Sequence, residues 1–125
     1  MARVFLALLL AVTALAGCGV LRSTYGPDSF VVFFSPGRAE LSPEGLQIVR
    51  QAAAEARQRK PSKIEIALPA DAPGSVNLFE ARITAIRNVL SEEGTTPDLV
   101  STRSLPPAEI VIPGAEGRGE IRLIR

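Results

Sequence analysis

Few side chains in this 125-residue chain are equipped for chemistry. It has no histidine and one cysteine, Cys18. That excludes zinc sites built on those ligands, histidine acid–base catalysis and an internal disulfide. No carboxylate pair and no base-activated nucleophile stands at a convincing spacing, so the chain is expected to bind rather than catalyse, with no cofactor and no metal. Charge narrows the partners further. There are 14 basic and 13 acidic residues; removing residues 1–17 takes away Arg3 alone and leaves the remainder formally neutral. Such a balance gives no broad basic field for phosphates or anionic lipid, and nucleic acid is excluded as a partner. Glu92-Glu93 and Arg57-Gln58-Arg59-Lys60 read as solvated helix ends.

Cys18 has a different chemistry open to it. Met1-Ala2-Arg3 followed by the apolar run Val4 to Ala16 has the form of a signal peptide. The run is shorter than the roughly 20 residues a spanning helix needs. Leu15-Ala16-Gly17-Cys18 resembles the lipobox of bacterial lipoproteins, in which lipid is attached to the cysteine and the chain is cut before it. The resemblance implies a signal over 1–17, an acylated Cys18 and a membrane held through lipid, since each buried methylene contributes about 0.8 kcal/mol. The same resemblance favours the outer membrane, because Gly19 stands where many bacteria place Asp to retain a lipoprotein at the inner membrane. Residues 18–28 read as a tether and 29–125 as the folded domain.

The elements that must position any site follow from periodicity. Phe30-Val31-Val32-Phe33-Phe34 is a strand run expected to be central and buried on both faces. Ser42-Pro43-Glu44 opens a helix with a cap, a proline in the first turn and an early acid; Leu46, Val49, Ala53 and Ala56 give it one apolar face before Pro61 stops it. Lys63 to Leu68 alternates with period two. Asn77 and Glu80 form a capping-box pattern ahead of a second helix with Phe79, Ile83, Ile86 and Leu90 as its buried stripe, Arg82 and Arg87 beside it, and Gly94 as its stop. Leu99 to Leu105 and Glu109 to Ile112 both have strand character, and Glu120 to Ile124 closes the chain, Gly114, Gly117 and Gly119 permitting a hairpin return. The order βαβαββ predicts an α/β (α+β) two-layer sandwich with helices packed on one mixed sheet.

Phe33-Phe34-Ser35, then Ala39-Glu40-Leu41-Ser42-Pro43-Glu44-Gly45, resembles the opening strand and first helix entry of OmpA-like peptidoglycan-binding domains. Asp71 with Gly74, the helix residues Leu78, Glu80 and Arg82, and Gly117-Arg118-Gly119-Glu120-Ile121 follow in the family's order over nearly all of 30–125. The resemblance implies a domain that grips the diaminopimelate of the wall's peptide stem, Asp71 taking the ammonium and Arg82 the carboxylate, with Arg118 as a third candidate. Such a zwitterion calls for both charges, and a guanidinium offers a carboxylate two parallel donors.

The sequence departs from the family at Leu68-Pro69-Ala70, where glycine, histidine and threonine usually precede the aspartate, and at Phe79, where serine is usual; the 71–82 link is also shorter. Other roles stay open for each residue. Asp71 suits a turn aspartate, Arg82 an exposed helix cation, Arg118 a surface residue among glycines, and Asn77 a helix cap. The expected function is an outer-membrane lipoprotein facing the periplasm that binds peptidoglycan and ties the membrane to the wall. The alternative is an OmpA-like domain without wall binding, serving as a protein-interaction subunit of an envelope assembly.

Overall fold

The computed structural model describes residues 28–71, 77–106 and 117–125. The signal peptide, Cys18, Gly74, Gly114 and the strand expected over Glu109 to Ile112 lie outside them. The elements run β1 (Ser29–Phe33), α1 (Pro43–Arg59), β2 (Lys63–Pro69), α2 (Leu78–Glu92), a 3-10 turn (Pro97–Leu99), β3 (Val100–Leu105) and β4 (Arg118–Ile124). They form a two-layer sandwich, two helices against a four-stranded mixed sheet of order β1-β4-β2-β3.

Local chemistry explains the helix ends. The Ser42 hydroxyl accepts from Gly45 N–H at 3.0 Å, Pro43 occupies the first turn, and Lys60 ends α1 in the left-handed region at φ 50. Gly94, at φ +90, follows the end of α2. The alanines of α1 let it approach closely: Val49, Ala52, Ala53 and Ala56 are buried against the sheet. With Val32, Ile66, Ile86 and Ile121 they make a core sealed from water. Fully burying one such branched side chain contributes about 1.5–3 kcal/mol.

Register corrects two expectations. β4 lies between β1 and β2, antiparallel to both, pairing Phe33 with Arg118 and Ile66 with Ile121. β1 is therefore an edge strand instead of a central one, and Phe33 is 57% exposed. Because the helices cover one face only, β1 buries Phe30 and Val32 and leaves their neighbours outside. Nor does β4 return as a hairpin on β3; β3 pairs in parallel with β2 at the opposite side of the sheet. On the helix-free face, opposite charges sit side by side, with Arg103 Nε 3.2 Å from Glu65 and Arg122 Nε 3.7 Å from Glu120. In each the arginine is exposed and the carboxylate partly covered; surface pairs contribute about 0–1 kcal/mol each.

Candidate functional site

β1 and β2 run in the same direction, β4 against them. The outgoing ends of β1 and β2, the N-terminus of α2 and the start of β4 therefore gather at one end of the sheet, where Asp71, Arg82 and Arg118 all lie. Asp71 follows β2 directly. Its carboxylate accepts from Leu78 N–H at 3.0 Å and Phe79 N–H at 3.1 Å, the first amides of α2. Those amides have no partner within the helix, and the positive end of the helix dipole adds to their hold on an anion. Asp71 thus performs the capping expected of Asn77. Asn77 stands at the cap position with ψ 79 and makes no side-chain cap hydrogen bond, so the Asn77–Glu80 capping box does not form.

Arg82 is one turn further along α2. It belongs to the buried stripe, with Ile83, Ile86, Val89 and Leu90, and is 5% exposed instead of lying beside the stripe on the surface. Its Nε donates to the Arg38 carbonyl at 2.8 Å and its Nη2 to the Ser35 carbonyl at 3.3 Å. The guanidinium also lies over the Phe34 ring, 5.2 Å from its centroid, a cation–π contact that softens the cost of burial. Phe34 is fixed in turn: its N–H donates to the Gly117 carbonyl at 2.7 Å. Gly117 packs so closely on the Phe34 carbonyl that a Cβ there would overlap it.

Arg118 has a different outlook. Its neighbour Gly119 pairs with the buried Val32, so Gly119 faces the helices and Arg118 the other side, beside exposed Phe33. Asp71 and Arg82 share the helix-bearing side; Arg118 shares only the end of the sheet. Arg38, with its side chain exposed on the turn that Arg82 holds, is marked in the sequence only by the turn signal Ser35-Pro36-Gly37 before it.

A cavity of about 310 Å³ lies at the far end of α2, lined by Arg87, Asn88, Leu90, Ser91, Thr95, Pro97 and Val100. Its lining has one cation and no carboxylate, so the other end of α2, with Asp71 and Arg82, is the better candidate for a zwitterion. Among the described residues no acidic or cysteine cluster suits a metal, and no helix is long and apolar enough to cross a membrane.

Two helices on one face of a four-stranded mixed sheet define the class of fold. No family model and no curated sequence matches the chain. Solved structures do. The OmpA-like domain of FopA1 from Francisella tularensis aligns with TM-score 0.62 at 14% identity, covering 78% of this chain and 75% of that one. The peptidoglycan-associated lipoprotein from Burkholderia pseudomallei aligns with TM-score 0.60 at 19% identity, covering 74% and 88%. The cell wall anchor of the T6SS from Pseudomonas aeruginosa aligns with TM-score 0.59 at 15% identity, covering 77% and 80%. The chain has the fold of an OmpA-like domain, in a divergent sequence.

Proposed function

We propose that this chain is an outer-membrane lipoprotein, acylated on Cys18, whose periplasmic domain binds peptidoglycan non-covalently and so connects membrane to wall. The reading is carried by one observation: Asp71, bound to the first amides of α2, and Arg82, in the first turns of the same helix, bring opposite charges to one end of the sheet. The fold, common to a peptidoglycan-associated lipoprotein and a cell wall anchor, supports it, as does the lipobox-like run before Cys18. An ionised carboxylate has about four lone-pair sites. The two α2 amides leave Asp71 capacity to accept an ammonium. Positive charge from Arg82 and from the helix N-terminus then favours the adjoining carboxylate of the same amino-acid end, and Arg118 stands at the same end of the sheet as a further cation. Binding of this kind involves no catalytic step and no cofactor.

A second reading, an envelope protein-interaction subunit that no longer holds the wall, is favoured by one feature. The described hydrogen bonds of Arg82 end on the chain's own carbonyls. Sedimentation with purified sacculi separates the two. The parent chain pellets with sacculi under the first reading, and Asp71→Ala and Arg82→Ala both reduce the bound fraction. A parent chain that stays in the supernatant, or binding indifferent to both substitutions, favours the second.

A further inference from the structure

The turn Ser35-Pro36-Gly37-Arg38 is held more firmly than an exposed turn requires. Pro36 presets its own φ, Gly37 takes φ +69, and Arg38 N–H donates to the Ser35 carbonyl at 3.0 Å. This is the pattern of a proline–glycine type II turn, which closes without outside help. Arg82 nonetheless grips it at both ends, Nη2 on the Ser35 carbonyl and Nε on the Arg38 carbonyl, while resting on the ring of Phe34 just before it. Burying a guanidinium is expensive unless its contacts return the cost. The outcome here is a turn tied to the start of α2, where Asp71 also binds, with the Arg38 side chain left 70% exposed.

We infer that Arg82 is a positioning residue and that Arg38 is the guanidinium that meets the ligand's carboxylate. The inference rests on the peptidoglycan reading and divides its labour. A carboxylate pairs best with two adjacent N–H donors pointing the same way. On Arg82 the Nε–Nη2 edge is that fork, and two backbone carbonyls take it. Among the described residues Arg38 has one ion pair, with Glu40 at 4.0 Å and 87% exposed, weak enough for a ligand to displace. Holding the turn still means that Arg38 forfeits less freedom when it binds, which is how preorganisation raises affinity. Asp71 and Arg38 then read the two charges of the zwitterion, and Arg82 sets the position of the second.

The test uses the full-length chain in detergent micelles and two synthetic stem tripeptides ending in diaminopimelate, one with its terminal carboxylates free and one amidated there. Amide exchange at residue 38 is followed in the same samples without peptide. The parent chain prefers the free-carboxylate peptide by about tenfold, the worth of a charge-assisted pair. Arg38→Gln brings that ratio near one and leaves exchange at residue 38 unchanged. Arg82→Lys, which keeps the charge and loses the fork, speeds that exchange about tenfold or more and weakens both peptides. A ratio that survives Arg38→Gln overturns the inference. So does Arg82→Lys abolishing the ratio while the residue 38 amide stays protected, since Arg82 would then touch the ligand itself. Failure of the parent chain to bind either peptide rejects the peptidoglycan reading instead; exchange unchanged in Arg82→Lys still rejects the positioning role.

Discussion

Asp71 caps α2 and is also assigned to the ligand ammonium, and substitution can separate these roles. Asp71→Ala removes the acceptor for Leu78 N–H at 3.0 Å and Phe79 N–H at 3.1 Å. Losing an N-cap costs about 1–2 kcal/mol, and removing an anion from a helix N-terminus adds about 0.3–1 kcal/mol. The site is half-buried, so water replaces the lost oxygens only in part, and the expected loss is about 1.5–3 kcal/mol. Asp71→Asn keeps one oxygen as acceptor and loses the charge, so it should cost under about 1 kcal/mol. Urea unfolding followed by circular dichroism reads both. With m near 1–2 kcal/mol/M, Asp71→Ala lowers the midpoint by about 1–2 M and Asp71→Asn by about half that or less, with m unchanged. Sacculus binding should fall alike in both variants, because the ammonium needs the charge. Asp71→Ala shifting stability by less than about 0.5 kcal/mol, the range of an ordinary surface change, would refute the capping role. Asp71→Asn retaining full sacculus binding would refute the ligand role.

Other substitutions probe the scaffold and the anchor. Gly117→Ala drives a Cβ into the Phe34 carbonyl and should cost about 1–3 kcal/mol as overpacking, read as a lower Tm; an unchanged Tm would show that the β1–β4 contact has room to spare. Ser42→Ala removes the hydroxyl that accepts from Gly45 N–H and should cost about 1 kcal/mol in urea unfolding. Ile86→Ala, at a fully buried position facing the sheet, should cost about 2–5 kcal/mol. Cys18→Ser should abolish incorporation of labelled palmitate and release the chain from the membrane fraction, whereas labelling that persists would place acylation elsewhere.

The fold was largely legible because its elements carry local signals. Ser42-Pro43 and Lys60-Pro61 bracket α1 through capping and proline chemistry, and the alternation at Ile64, Ile66 and Leu68 marks β2. The place of each strand in the sheet was not legible. Phe30 to Phe34 reads as doubly buried by composition, yet its pairing depends on β4, almost ninety residues away. At the site, type and spacing pointed to Asp71 and Arg82 through family resemblance, while their partners come from tertiary structure. Asp71 reaches α2 amides seven and eight residues on, and Arg82 reaches carbonyls 44 and 47 residues back. Spacing alone puts Arg82 on the stripe, three residues after Phe79 and four before Ile86, but its charge argues against burial, which a ring and two carbonyls from outside the helix make tolerable.

Nuclear magnetic resonance mapping of a diaminopimelate-containing stem peptide onto the amide spectrum of the chain tests peptidoglycan binding most directly. The largest shifts are predicted for Asp71, Leu78, Phe79 and Arg82 and for the turn from Ser35 to Arg38, saturating together as peptide is added. Shifts gathered instead around Arg87 to Val100, or no saturable shift at any concentration, would contradict the assignment of this end of the sheet to the wall.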